Sequence, residues 1–250
     1  PFKIALSIEK EPQAHKTLEL RSFFRHWKGK KSRNDYYEYL ENPSDEKKEQ
    51  LFAAYPEITR KAKSEALCME LGKDNKIIHE KIKERVGNTN DWVLIGGPPC
   101  QAYSLVGRSR LKGTAPSPIT IEQSGLYLHY LEVLARHSPP VFIMENVKGL
   151  LSAKDKNGNI FKKIIGDLAD PVKVSSEGFK NKKNKGYKIF SLVQNETDKQ
   201  LGFFGSDYPP SSYVIKCEDF GIPQARHRVI LLGVRADLNI TPQPLKKTSE

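Results

Sequence analysis

The chain has 250 residues, 38% hydrophobic and 28% charged, which is the balance of a soluble globular protein with room for one substantial core, or for a large domain and part of a second. Lys and Arg number 41 against 30 Asp and Glu, a formal charge of +11 that suits a polyanionic partner through counterion release and equally serves solubility alone. Three scattered cysteines, Cys68, Cys100 and Cys217, exclude a disulfide framework or a paired-cysteine zinc site, and no metal is expected. No apolar run is long enough to span a bilayer and no signal peptide is visible, so the expected place is the cytoplasm.

In chain order, Pro1 to Glu9 reads as a strand beginning at the first residue, so sequence before Pro1 is expected to be missing. Residues 12–24 follow with helical periodicity, Pro12 sitting well in a first turn. Residues about 35–86 carry Glu, Lys, Ala and Leu with aromatics at helical spacing and read as several helices, punctuated by Asn42-Pro43 and Tyr55-Pro56. Trp92 to Ile95 is a short buried strand stopped by Gly96-Gly97-Pro98-Pro99, and a polar loop runs from Tyr103 to Ser124. Leu126 to His137 is an amphipathic helix, Val141 to Glu145 an apolar strand ending in an acid, and Phe161 to Leu168 a helix. Tyr187 to Val193 and Val229 to Val234 are strands, and residues 241–250 read as the start of a linker. Strands alternating with helices predict an α/β fold, Rossmann-like, with a mostly parallel sheet and helices on both faces. In such a sheet ligands lie at the carboxyl ends of the strands, where Glu9, the segment ending in Cys100, and Glu145-Asn146 are expected to converge.

Three segments carry chemistry. In Gly96-Gly97-Pro98-Pro99-Cys100-Gln101 the glycines admit close backbone approach and the prolines stiffen the turn, holding a thiol at a strand end. In Phe142-Ile143-Met144-Glu145-Asn146-Val147 the acid closing an apolar strand is costly unless it is paired or held protonated as a donor; a loop-anchoring carboxylate is the plainer alternative. In Gln224-Ala225-Arg226-His227-Arg228 the alternation places both arginines on one face of an extended segment, suited to a phosphate or a base oxygen, or simply to a charged edge.

In this order the three segments resemble the DNA (cytosine-5)-methyltransferase family, supported by Phe220-Gly221-Ile222-Pro223, Ser7-Ile8-Glu9 and Ser124-Gly125-Leu126-Tyr127. The resemblance covers most of the chain outside about 25–88 and 170–212. It implies a catalytic-domain fragment with a Rossmann-like methyltransferase fold over residues 1–240. It also implies a helical insert at about 28–86, which is a structural cover or a DNA-backbone contact, and a linker at 241–250 toward an absent target-recognition domain.

The resemblance further implies methyl transfer from S-adenosyl-L-methionine to C5 of cytosine in flipped-out double-stranded DNA. Cys100 is then the nucleophile toward C6, Glu145 the proton donor at N3, and Arg226 the group on the O2 side. Pro99, Gln101, Asn146, Gln224 and Arg228 support them, Asn146 by fixing loop backbone. Glu9, Lys10 and Leu126 lie on the cofactor side, and Ser104, Arg108 and Arg110 belong to a closing loop that meets nucleic acid. Lys180, Lys182, Lys183 and Lys185 either touch phosphates or form a solvated loop.

Three departures from the family pattern stand out. The glycine-rich first motif would precede Pro1, Lys10 stands where an aromatic residue often covers the adenine, and no Gly-Asp-Ile segment precedes Trp92, leaving Leu71-Gly72-Lys73-Asp74 as the candidate adenine contact. The expected context is a monomeric bacterial protein, cytoplasmic or nucleoid-associated, with a cognate restriction endonuclease as a candidate partner. RNA cytosine-5-methyl transfer and a catalytically inactive DNA-binding homologue are the alternatives.

Overall fold

The computed structural model describes residues 2–27, 34–87, 89–98, 118–155, 158–174, 185–193 and 208–248, with backbone alone at 118–126, 154–155 and 158. The chain forms two compact units, Pro1–Asn88 and Thr89–Glu250.

In the first unit, β1 (Ser7–Glu9) leads into α1 (Pro12–His26), followed by α2 (Asn34–Glu41), α3 (Asp45–Ala54), α4 (Pro56–Glu65), β2 (Ala66–Cys68) and α5 (Asn75–Val86). The helix breaks fall where the prolines are. Pro56 opens α4 directly after Tyr55, which caps the end of α3, because a proline needs no amide hydrogen bond in a first turn. Phe23 from α1 and Trp27 at its C-cap, Leu51 and Phe52 from α3 and Ala62 from α4 make the core, with the Phe23 and Phe52 rings stacked at 4.7 Å.

The strand expected from Pro1 is shorter than its sequence suggests. β1 and β2 pair in parallel only from Ser7↔Ala66 to Glu9↔Cys68. A residue before Ser7 would have to pair with Glu65, which belongs to α4, so pairing stops there. β2 itself gave no strand signal, being three residues directly after a helix.

The second unit contains β3 (Val93–Gly96), α6 (Pro118–His137), β4 (Val141–Val147), the small hairpin β5 (Lys154–Asp155) and β6 (Gly158–Asn159), α7 (Ile160–Ala169), α8 (Pro171–Val174), β7 (Tyr187–Phe190), β8 (Val214–Lys216) and β9 (His227–Arg235). Its five-stranded sheet runs β3-β4-β9-β7, with β8 also on β9. As expected of a mostly parallel sheet, β3, β4, β7 and β8 run in one direction, and β9 alone is reversed. β3 pairs with β4 in parallel, and β9 pairs antiparallel with β4, β7 and β8. The reversal follows from the short β8–β9 connection, which brings the chain back as a hairpin.

Glu9 and Glu145 also lie in different sheets, since β1 pairs with β2 and not with β3. The polar segment read as loop up to Ser124 is helical from Pro118 onward, a proline again opening a helix. β7 ends at Phe190, three residues before its expected limit; its pairing with β9 stops at Leu232, and over His227 to Val229 β9 pairs with β8.

Direct register partners share a face, so Phe142, Met144 and Asn146 stand with Gly233, Leu231 and Val229 on one side of the sheet. That side joins the main core with Tyr130, Leu131 and Leu134 of α6 and Ile164, Ile165 and Leu168 of α7. On the opposite side Phe190, Leu232 and Val234 cluster with Leu192 and Leu238. Helices on both faces were expected; within this unit the described helices pack into the first cluster. The segment read as a linker is fastened down: Leu245 donates to the Leu192 carbonyl at 2.8 Å and Thr248 to that of Asp219 at 3.1 Å. Among the described residues no helix is long and apolar enough to cross a membrane.

Candidate active site

β4 carries Glu145 and Asn146 at its carboxyl end, and the pleat sends them to opposite faces. Asn146 is buried; its side chain donates to the Pro98 carbonyl at 3.2 Å while its oxygen accepts the Val147 amide at 2.9 Å. It therefore ties Pro98, just after β3, to the end of β4. Gly96 must lack a side chain, since a Cβ there would come within 2.5 Å of the buried Tyr130 ring on α6. Gly97 faces Glu145, and a Cβ there would lie 3.3 Å from Oε2. Gly97 is thus pressed against the carboxylate.

Oε1 of the same carboxylate faces the arginines. Arg228 on β9 lies diagonally across from Glu145, with Nε 3.0 Å from Oε1, and Arg226 approaches the same oxygen with Nη2 at 3.7 Å. The alternation predicted from sequence is realised: both guanidiniums stand on the face of Glu145. The Arg228 Nε–H is not aimed along a hydrogen bond, so this close contact is an ion pair; Nη1 donates to the His227 carbonyl at 2.8 Å. Arg228 is the nearer and more buried of the two, its side chain 25% exposed against 47% for Arg226. Its charge is therefore engaged within the protein, whereas Arg226 keeps its end toward solvent. Gln224 is exposed in the loop before β9, its carbonyl accepting the Arg226 amide at 2.8 Å.

Cys100, Pro99, Gln101, Ser104, Arg108 and Arg110 lie outside the described residues, as do Lys180, Lys182 and Lys183. Leu126 is placed by its backbone within α6. Two side chains beside the arginines had no sequence signal: Glu218, whose Oε1 is 2.6 Å from His227 Nε2, and Asp219, paired with Lys247 at 2.7 Å. Hydrogen bonds hold both acids below the usual carboxylate range, from its own backbone and from His227 for Glu218, and from Lys247 for Asp219.

In the first unit Glu9 closes β1, and its Oε1 accepts the Glu11 amide at 2.9 Å in the turn into α1. Lys10 is exposed and reaches Glu70 Oε1 at 3.3 Å, while Lys73 reaches Glu70 Oε2 at 2.7 Å. The Leu71–Asp74 segment forms a turn in which Asp74 accepts the Glu70 amide at 2.8 Å. Glu9 at the end of β1 and Glu70 two residues beyond β2 are carboxylates of the kind that can accept from the hydroxyls and amine of a nucleoside. Among the described residues no cluster of His, Cys, Asp and Glu could hold a metal ion.

The α/β architecture is that expected of the methyltransferase class. The sequence profile of C-5 cytosine-specific DNA methylases matches residues 72–171 and 176–250, and the chain belongs to that family. It is similar to the type II methyltransferase M.Bpa9945I of Bacillus paralicheniformis, 31% identical over 95% of this chain and 50% of that protein. It is also similar to the DNA (cytosine-5-)-methyltransferase M.ApeKI of Aeropyrum pernix, 34% identical over 58% of this chain and 27% of that protein. A third relative, the type II methyltransferase M.DdeI of Desulfomicrobium norvegicum, is 29% identical over 63% of this chain and 28% of its own length. The chain thus spans about half the length of the first of these relatives and less of the other two.

Proposed function

We propose that this chain is the catalytic part of an enzyme that methylates C5 of cytosine in DNA. The observation that carries the reading is the convergence of Arg226 and Arg228 on Glu145 beside Gly97, three residues before Cys100. Cytosine is a poor nucleophile at C5. Addition of the Cys100 thiolate to C6, with a proton delivered from Glu145 to N3, makes C5 an enamine carbon. S-adenosyl-L-methionine, when bound, supplies the methyl group as an electrophile. Loss of the C5 proton to water then returns the ring electrons, the C6–S bond breaks, and Glu145 recovers the N3 proton. Arg226 opposes the charge that builds on O2, and Arg228 steadies the Glu145 carboxylate. Asn146 keeps the turn before Cys100 in place.

The target carbon is stacked within a duplex, so the base must leave the helix to reach the thiol. The segment holding Ser104, Arg108 and Arg110 then closes over it and meets backbone phosphates. On the cofactor side Glu9 would accept from the ribose hydroxyls, Glu70 after β2 would accept from the adenine amine, and Leu126 would pack on the cofactor. A cognate endonuclease would share the enzyme's target.

The test is transfer of a labelled methyl group by the full-length protein to duplex DNA and to RNA. Label at C5 of duplex cytosine, abolished by Cys100→Ala, is the expected result. Label in RNA alone would favour an RNA enzyme. Duplex binding with steep salt dependence and no transfer would favour an inactive binding module.

A further inference from the structure

Arg226 is the last residue of the loop between β8 and β9, and its 3.7 Å approach to Glu145 is too long to fix the guanidinium by itself. Its position is therefore inherited from the loop backbone. That loop is built as a closed ring. The Cys217–Phe220 turn ends at Gly221 in the left-handed region, φ 77°, and the Ile222 amide returns to the Cys217 carbonyl at 3.3 Å. The Cys217 amide donates to the Arg226 carbonyl at 3.1 Å, and the Arg226 amide to that of Gln224 at 2.8 Å.

Two braces hold the ring. Inside it, Glu218 crosses to His227 at 2.6 Å, next to Arg226 in the chain. Outside it, the segment 245–248 lies against the turn: the Thr248 amide and Oγ1 both donate to the Asp219 carbonyl, at 3.1 and 3.3 Å, and Lys247 pairs with the Asp219 carboxylate at 2.7 Å. Gly221 admits this contact because a Cβ there would sit 3.2 Å from Thr248 Cγ2. The far end of the segment is anchored by Leu245 on the Leu192 carbonyl. No one of these bonds is strong at the surface, yet all act on ten residues whose last member is Arg226.

We propose that Glu218 and the 245–248 strap are a positioning device for Arg226, coupling the course of the chain after β9 to the placement of this arginine. The inference rests on the role given to Arg226 above. Glu218, Lys247 and Thr248 touch neither base nor cofactor in this scheme; they act through the loop.

The test uses the full-length protein and two changes, Glu218→Ala and the double variant Lys247→Ala/Thr248→Ala, each made with and without Arg226→Ala. With Arg226 present, kcat on duplex DNA is expected to fall about tenfold while KM moves less than about twofold. The thermal unfolding midpoint should not move with it, and Glu218→Gln should restore most of the loss by keeping an acceptor for His227. With Arg226 already removed, neither change should lower kcat further. An equal loss in both backgrounds, or a loss that tracks the unfolding midpoint, would overturn the proposal. An active wild-type protein whose Glu218→Ala variant keeps full kcat would overturn this inference alone. A wild-type protein without methyl transfer would overturn the underlying function and this device together.

Discussion

Glu65 and Glu145 are both carboxylates met by more than one cation, but their surroundings give them different work. Glu145 is 39% exposed at the end of a strand, open to exchange one partner for another. Glu65 is buried at the end of α4, where it accepts from Ser22 Oγ at 2.8 Å, lies 2.9 Å from His26 Nε2 and pairs with Arg25. Burial pushes the Glu65 carboxyl up, but hydrogen bonds from Arg25 and Ser22 and the charges of Arg25 and His26 outweigh it, leaving the group below the usual glutamate range. Since the folded value lies under the unfolded one, this stabilisation is complete above about pH 4.3 and is lost as pH falls through the folded value. Glu65→Gln is therefore expected to cost on the order of 2 kcal/mol near neutrality, with the gap to wild type closing in acid. Urea unfolding at several pH values measures it; a gap that stays constant into acid would assign the cost to packing alone.

The site was legible in sequence where side-chain alternation decides it. Arg228 shares the face of Glu145 as part of β9 opposite β4, and Arg226, two residues earlier, approaches the same carboxylate. Glu218 was not legible, because its partner His227 lies across a turn whose course only the fold supplies. The Glu65 cluster was hidden for the same reason, uniting residues about 40 apart in sequence.

At the scale of elements, glycine marks where the sheet accepts large neighbours. Gly233 of β9 stands opposite Phe142 of β4, and a Cβ there would fall 2.1 Å from the Phe142 ring, which itself meets Tyr187 of β7 at a centroid distance of 5.0 Å. Two rings thus fill the space above one bare backbone position. Gly233→Ala should cost roughly 1–3 kcal/mol, and Phe142→Leu in the same chain should recover part of it. Gly166 on α7 is the contrast: a Cβ there meets nothing within 4 Å, and Gly166→Ala should gain about 0.5–1 kcal/mol from helix propensity. Denaturant midpoints compare the two, and an equally destabilised Gly166→Ala variant would contradict this account of the helix.

Strand and helix cores were readable from runs such as Val141 to Met144 and the spacing in α7. The reversal of β9 was not, because one apolar run serves a parallel or an antiparallel neighbour equally well. β1 and β2 show the limit of local reading: their length is set by each other, three residues long and about 60 apart in sequence.

At the scale of the molecule, the division at Asn88 follows neither a linker composition nor a charge run, and the helices read as an insert share a core with α1. Chemistry-bearing residues are distributed over both units, Glu9 in the first and Glu145 with the two arginines in the second. The +11 charge agrees with a polyanionic substrate but would not identify one; the ordered set of short motifs carried the identification.

The central claim is a sulfur that bonds to carbon, and covalent capture reports it most directly. A duplex containing 5-fluorocytosine blocks release of the C5 substituent, so an attacking thiol stays attached. Incubated with this duplex and S-adenosyl-L-methionine, the full-length protein is expected to yield a denaturation-resistant adduct whose peptide mass maps to Cys100, absent in Cys100→Ala. An adduct at another residue, or methyl transfer that persists in Cys100→Ala, would contradict the account.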